Sequence, residues 1–243
     1  MSRYPTVKNY LGNFKENLEP GVVGGRKPGS YNWYEIQDNI AYYPEFSKTK
    51  ILSTKISIRP TFSLDTTGSY LANTSYFIPV EHDAHFILGL LNSSVFYAYA
   101  KRVFVDKQGG WFEIQPKGLE QFPIPNATDS QKQLCEDLSA ALIYLHCPEA
   151  MSISNRSLMV SFFEQWLNGL IYELFFPGEL HARNLHLFDL TASLGLPTDP
   201  TAATYPEQLQ AAFHRAHDLK QPLRGMLADL QTIEEVRIIE GEK

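Results

Sequence analysis

A stripe of large apolar side chains runs through residues 157–176, SLMVSFFEQWLNGLIYELFF. Its members recur every fourth residue: Leu158, Phe162, Trp166, Leu170 and Leu174. This spacing aligns side chains on one face of an α-helix. More apolar residues flank the stripe, so the helix is too apolar to face water. The segment predicts a helix that packs into a core or against a partner helix, and we favour the core.

Other segments of the second half also have a helical pattern. We predict helices over residues 130–146, 206–219 and 223–236, the first with Asp129 or Ser130 as its N-cap. The segment EQFPIPN, residues 120–126, is extended because its prolines remove amide donors and restrict the residues before them. It therefore predicts a domain boundary, with one domain over residues 1–125 and a helical segment over 126–243.

The first half alternates in a pattern typical of β-strands. ILSTKISI and TSYFIPV, residues 51–58 and 74–80, predict strands, and residues 104–114 predict a hairpin that turns at Gly109 and Gly110. Between the second strand and the hairpin, residues 84–103 predict one helix. The fold class that follows is α+β, with a mixed or antiparallel sheet and a helical C-terminal segment.

Charge is unevenly divided between the two halves. Residues 1–125 contain 13 Lys or Arg and 11 Asp or Glu, a net charge of +2, whereas residues 126–243 contain 8 and 16, a net charge of -8. The acidic balance of the whole chain, -6, therefore belongs to the second half. Such a division bears on binding partners, and it favours the first half as the part that meets a polyanion.

Common catalytic motifs are absent from the sequence. It contains no glycine-rich phosphate loop, no His-Glu-x-x-His, no Gly-x-Ser-x-Gly and no Asn/Asp-Pro-Pro-aromatic tetrapeptide of amino-methyltransferases. We expect a chain that is not catalytic by itself, although catalysis by scattered residues stays open. The histidines, His181 and His186 among them, are expected at the surface or at helix ends rather than as metal ligands.

Neither a secretory signal nor a membrane span is expected. The N-terminal MSRYPTVKNY has no apolar core, and the longest apolar runs are interrupted and too short to cross a bilayer. The two cysteines, Cys135 and Cys147, form neither a disulfide framework nor a zinc quartet. We expect a reducing, cytoplasmic setting.

Cations are concentrated in KTKILSTKISIRPTFSLDTTGSY, residues 48–70. On a continuous strand, alternate side chains share a face. One face then carries cations and hydroxyls: Ser53, Lys55, Ser57 and Arg59. The other is mainly apolar: Thr54, Ile56 and Ile58. The polar face suits nucleic acid, because Lys and Arg bind phosphates and Arg also binds guanine edges. The alternative is an ordinary solvated face of an antiparallel sheet.

The order of short motifs around this segment shows a family resemblance. The motifs are NWYEIQ, Lys50-Ile51-Leu52, Arg59-Pro60-Thr61-Phe62 with Asp65, Leu91-Asn92-Ser93, and Pro123-Ile124-Pro125. Over most of residues 1–125 the chain resembles the TaqI-like C-terminal specificity domain, the target-recognition module of N6-adenine DNA methyltransferases and type IIG restriction-modification enzymes. In addition, residues 168–181, NGLIYELFFPGELH, resemble the helical tail of large fused methylase-endonucleases and related phage-defence methylases.

The resemblance implies a module that binds duplex DNA and reads bases while a separate catalytic domain or subunit transfers the methyl group. S-adenosylmethionine would bind that catalytic part, and no cofactor is expected in this chain. The chain would then be a fragment of a longer protein or a separate specificity subunit. An interaction module that docks a methylase without reading DNA remains the alternative.

Seven residues follow as candidate DNA contacts. They are Arg26, Lys27, Lys50, Lys55, Ser57, Arg59 and Ser63, with the first three as phosphate contacts and Lys55 and Arg59 as the principal candidates. Trp33 and Tyr34 are candidates for stacking, although such residues more often belong to a core. Asp65 is expected to organise a turn, and Asn92 and Ser93 to bond to neighbouring backbone.

Overall fold

The structure, a computed structural model, describes residues 3–37 and 41–241. The chain divides into two compact units, Met1–Ser47 and Lys48–Lys243. In the first unit lie α1 (Pro5–Gly12), α2 (Lys15–Leu18) and a 3-10 helix (Tyr43–Ser47). None of the described helices has both the length and the apolar character that a membrane span requires.

The second unit is mixed. Its strands are β1 (Lys50–Thr54), β2 (Ile56–Ser57), β3 (Phe62–Asp65), β4 (Ser75–Pro79), β5 (Val105–Lys107) and β6 (Trp111–Glu113). Its α-helices are α3 (Ala84–Leu91), α4 (Ser94–Val103), α5 (Pro116–Glu120), α6 (Asp129–His146), α7 (Arg156–Phe175), α8 (Pro177–His181), α9 (Leu187–Leu194), α10 (Tyr205–His217), α11 (Pro222–Asp229) and α12 (Glu234–Glu240). Short 3-10 helices span Pro148–Ser152 and Leu230–Thr232. The predicted fold class, α+β with a helical C-terminal region, is confirmed.

In the first unit, the side chain of Arg26 organises the loop. Its guanidinium donates to the backbone carbonyls of Leu18 at 2.8 Å, Glu35 at 2.7 Å, Trp33 at 2.7 Å and, at 3.3 Å, Asn32. Its planar fork can serve several carbonyls at once, which a lysine ammonium cannot do with the same geometry. The Arg26 side chain therefore connects the end of α2 to residues 32–35 of the loop.

The strands of the second unit form two small antiparallel sheets. The first has the order β3-β1-β4, with β1 in the centre, and the second has the order β2-β6-β5. The hairpin β5–β6 turns at Gly109 and Gly110, as predicted, and both have positive φ, 85° and 77°. Glycine adopts this backbone without the steric cost that a Cβ would add.

The predicted strand over residues 51–58 is divided between the two sheets. The division falls at Lys55, whose amide donates to the carbonyl of Thr74 at 2.8 Å and whose carbonyl accepts from the amide of Ile114 at 2.9 Å. Thr74 immediately precedes β4, and Ile114 immediately follows β6. The backbone of one residue thus bonds to neighbours of both sheets, and the chain changes sheet there.

The predicted helix over residues 84–103 is also divided. The Asn92 side chain accepts from the amide of Phe62 at 3.0 Å and donates to the carbonyl of the same residue, also at 3.0 Å. The Ser93 hydroxyl caps α4 by accepting from the amide of Phe96 at 3.2 Å. The expectation that Asn92 and Ser93 bond to backbone is confirmed, and these bonds end one helix and begin the next.

Most of the apolar stripe of α7 lies in the core, as favoured from the sequence, with Phe162, Trp166 and Leu170 buried, whereas Leu158 at its start is 50% exposed. Trp166 is fully buried, and its indole N–H donates to the hydroxyl of Thr191 at 2.8 Å. α6 begins at Asp129 with Thr128 as its N-cap in a capping box with Gln131, one residue before the nearer predicted N-cap. The core contains residues on both sides of the boundary predicted at residue 125, from Ile51 to Val236.

A buried ion pair joins β1 to β3. Lys50 is fully buried, and its ammonium lies 2.6 Å from a carboxylate oxygen of Asp65, its cross-strand partner. That carboxylate also accepts from the amide and hydroxyl of Thr67 and from the amide of Ser69. The bond from Lys50 is the largest cause that holds the pKa of Asp65 far below its usual range, followed by the bonds from Thr67. The expected turn role of Asp65 is confirmed.

We predict that Lys50→Met destabilises the second unit by about 3 kcal/mol, because it leaves a buried carboxylate without its counterion. The matched control is Lys55→Met, whose ammonium is half-exposed and lies 3.8 Å from Glu113. This control should cost at most about 1 kcal/mol. Urea unfolding followed by circular dichroism measures both. Equal losses in the two variants would contradict the assignment of Lys50 to the core.

The same pair predicts a loss of stability in acid. A carboxyl whose pKa is lowered by folding stabilises the folded state fully above its unfolded pKa of about 4. That contribution declines as pH falls from about 4 toward the folded pKa. We therefore expect the difference in unfolding free energy between the wild type and Asp65→Asn to be constant near neutral pH and to shrink below about pH 4. A difference that does not change down to pH 3 contradicts this.

In the first unit, Arg26→Lys keeps the positive charge and removes the planar guanidinium that donates to several carbonyls. We expect faster amide hydrogen exchange across residues 19–37, because four carbonyls lose a shared donor, at a local cost of about 2 kcal/mol. Lys27→Ala is the control, since the Lys27 side chain is exposed. Exchange in Arg26→Lys as slow as in the control would show that the loop does not depend on the guanidinium.

Candidate nucleic-acid interface

The predicted polar face of residues 53–59 does not form. Ser53 is buried, whereas Ile56 and Ile58 are 48% and 57% exposed. The reason is the change of sheet at Lys55, since alternation holds only along a continuous strand. The prediction that Ser53, Lys55, Ser57 and Arg59 share one exposed face, with the isoleucines opposite, is therefore wrong.

Two of the expected phosphate contacts have structural roles. Lys50 is inside the core with Asp65, so the expectation of a surface cation at this position is wrong. Arg26 is half-buried, and its guanidinium is committed to backbone carbonyls and lies 4.8 Å from the ring centre of Tyr31. In the same unit, Lys27 is exposed. Of these three residues, only Lys27 has a side chain that projects into solvent.

Lys55 is half-exposed and belongs to a small ion network. Glu113 lies 3.8 Å from the ammonium of Lys55 and 2.6 Å from that of Lys107. The hydrogen bond from Lys107 is the main cause that lowers the pKa of Glu113, and Lys55 contributes less. Because Glu113 offsets part of the positive charge here, the network is a weaker attractor for an anion than isolated lysines would be.

The two serines among the candidates differ in exposure. Ser57 is half-buried in β2, and its hydroxyl oxygen is buried without a hydrogen-bond partner in the described part of the chain. Ser63 is exposed on β3, at the edge of the first sheet. Ser63 and Arg59 both line an open cavity of about 700 Å³, whose other walls include Asn92, Ser139 and Asn168. The guanidinium-bearing Arg59 and the hydroxyl-bearing Ser63 therefore line the same cavity.

Arg59 is exposed and lies beside a second cation. Its guanidinium carbon is 5.0 Å from the ring centre of Tyr97, and the ammonium of Lys101 is 4.3 Å from the same ring. Both distances are within the range of cation–π attraction, about 6 Å. The ring of Tyr97, on α4, is thus close to two cations, Arg59 and Lys101, that are far apart in sequence. We call Arg59, Tyr97 and Lys101 the basic cluster.

The basic cluster has the chemistry of an anion-binding surface. A guanidinium has five N–H donors, and those of the exposed Arg59 can bind a phosphate or a guanine. Lys101 adds a point charge, and it lies with Arg102 in the last turn of α4, where the helix dipole favours cations. The sequence analysis did not include Lys101. Its signal was the pair Lys101-Arg102 at the end of a predicted helix.

The aromatic candidates of the first unit contact each other. Trp33 and Tyr34 are half-buried, with ring centres 5.4 Å apart in an edge-to-face arrangement. The ammonium of Lys15 lies 5.9 Å from the Trp33 ring. This local packing is that of a small cluster within the unit.

Of the comparisons with known proteins, the one with family models covers these residues. No curated protein matches the chain. A model of the TaqI-like C-terminal specificity domain family matches residues 3–124, which is half of the chain and includes every candidate contact named above. The match ends one residue before the predicted boundary at residue 125. It bears out the resemblance found in the sequence, and the chain belongs to the TaqI-like C-terminal specificity domain family.

Proposed function

We propose that this chain recognises a specific sequence of duplex DNA as the specificity part of an adenine-specific DNA methyltransferase. Family membership indicates a DNA-recognition role in restriction modification. The finer assignment, to a type IIG or phage-defence methylase, rests on the order of motifs in residues 1–125 and on the tail-like segment 168–181. The two free cysteines, Cys135 and Cys147, support a reducing, cytoplasmic setting.

The observation that carries the proposal is the basic cluster. In a chain with a net charge of -6, it places two exposed cations at one ring, and one of them, Arg59, lines the same cavity as the exposed Ser63. All four residues lie within the part of the chain that matches the specificity domain. Exposed cations next to a hydroxyl donor provide both phosphate binding and base contacts.

Each candidate has a role in this mechanism. Lys101 binds phosphate, and Arg59 binds phosphate or the O6 and N7 atoms of a guanine. Ser63 donates or accepts at a base edge. Lys55 is a secondary phosphate contact because Glu113 offsets part of its charge. Lys27, in the first unit, is a phosphate contact. Ser57, in the second unit, remains a candidate on the condition that its buried hydroxyl becomes accessible.

Methyl transfer belongs to a catalytic domain or subunit in this proposal. That part binds S-adenosylmethionine and takes the adenine out of the duplex, while this chain positions it by holding the surrounding DNA. The helical region, residues 126–243, has a net charge of -8. In this proposal it contacts the catalytic partner rather than the DNA.

The test is binding to a duplex that the wild-type chain selects from a randomised pool. We expect Arg59→Ala and Lys101→Ala each to weaken binding by about tenfold, which corresponds to about 1.4 kcal/mol. Lys220→Ala, at an exposed lysine outside the family match, is the control and should bind as the wild type does. Fluorescence anisotropy at several salt concentrations gives the affinities. The salt slope should become shallower by about one unit for each phosphate contact that is lost.

Two outcomes would contradict the proposal. If the wild-type chain binds no duplex in a salt-dependent manner, the chain is better explained as an interaction module that docks a methylase. If the chain binds DNA but the basic-cluster variants bind like the Lys220→Ala control, DNA recognition stands and the site assignment falls.

A further inference from the structure

Glu173, His181 and His186 converge where three helices follow one another. Glu173 lies near the end of α7, His181 is the last residue of α8, and His186 directly precedes α9. One ligand atom from each residue lies within 4.8 Å of the other two. A carboxylate and two imidazoles are a common ligand set for a transition-metal ion.

Glu173 is the fixed member of this group. It is 6% exposed, and one of its carboxylate oxygens accepts from the backbone amide of Phe188 at 2.9 Å. The other oxygen lies 2.9 Å from Nε2 of His181. Because the Phe188 amide holds the first oxygen, the second stays directed at the histidines. Orientation of a ligating carboxylate by such a neighbour is typical of built metal sites.

The two histidines can supply lone pairs to the same point. Their rings stack with centres 4.4 Å apart and planes 23° apart. Each imidazole has two ring nitrogens, and either nitrogen can bind a metal ion through its lone pair. Within the described residues, the ring nitrogens of His186 make no hydrogen bond, so that ring is not committed elsewhere.

We propose that Glu173, His181 and His186 bind one divalent transition-metal ion, Zn²⁺ being the best fit. Zn–N and Zn–O bonds of about 2.0–2.2 Å place the donors of a tetrahedral ion roughly 3.3 Å apart. The two atoms of the Glu173–His181 pair, now 2.9 Å apart, would separate by roughly 0.4 Å to reach this spacing. Binding would draw the ring of His186 toward the other two donors, and the side chain of His181, which is 43% exposed, is not fully confined by packing.

The ion would tie the end of α7 to α8 and α9. Because these side chains are dispersed in the unfolded chain, an ion held by all three binds the folded state and raises its stability. The proposal is independent of DNA recognition, since all three residues lie outside the part that matches the specificity domain.

Titration of the untagged full chain with Zn²⁺ tests the site, by calorimetry and by the visible absorption of Co²⁺ as a probe. We expect one ion per chain and a higher melting temperature with Zn²⁺. His186→Ala is the cleanest variant because it removes a ligand and no hydrogen bond of the described residues, and His181→Ala is the second. Each should weaken binding at least about tenfold, which is the smallest usual cost of losing even an outer partner.

The control is His82→Ala, at an exposed histidine far from these helices in sequence, and it should bind the ion as the wild type does. Melting curves without metal establish that each variant is folded. If the wild type binds no ion, or if His186→Ala binds as tightly as the wild type, the proposal is overturned. In that case Glu173 only pairs with His181 and accepts from the amide of Phe188 in the first turn of α9.

Discussion

The arrangement of the two sheets depends on the backbone hydrogen bonds of Lys55. Its N–H bonds to Thr74 beside the first sheet, and its C=O bonds to Ile114 beside the second. A continuous strand would have used both groups in one ladder. Since they are used in two, β1 ends and β2 begins within two residues. This change of sheet decides which of the following side chains are exposed.

The candidate site follows from that change. On the near side of Lys55, β1 is central in its sheet, so Lys50 is buried and requires Asp65 as its counterion. On the far side, the chain leaves the sheets and Arg59 reaches the ring of Tyr97 on α4. Asn92 then fixes the start of β3 by bonding both backbone groups of Phe62. Cations that are close in sequence thereby have opposite roles: Lys50 stabilises the core, and Arg59 is exposed and lines the same cavity as Ser63.

The sequence predicted the elements whose signal is local and periodic. The helix α7 with its buried Trp166, the helix α6 and the Gly109-Gly110 hairpin all follow from spacing or turn chemistry. The face of residues 53–59 could not be predicted, because alternation does not reveal where a strand changes sheet. Nor could the roles of Lys50 and Lys101, since a pairing with Asp65 or a shared tyrosine ring depends on contacts distant in sequence. The group of Glu173, His181 and His186 could not be recognised for a different reason: its spacing matches no zinc motif, and the arrangement of α7, α8 and α9 brings its ligand atoms within 4.8 Å of one another.

The central claim is that the basic cluster, rather than the cationic segment as a whole, faces DNA. Acetylation of lysines in the free chain and in its complex with a selected duplex measures this directly by mass spectrometry, without any substitution. We expect Lys101 to become protected on binding DNA, Lys220 to react equally in both states, and Lys50 to be unreactive in both because it is buried. If Lys101 reacts equally with and without DNA while other lysines become protected, the duplex binds elsewhere and the assignment of this surface is wrong.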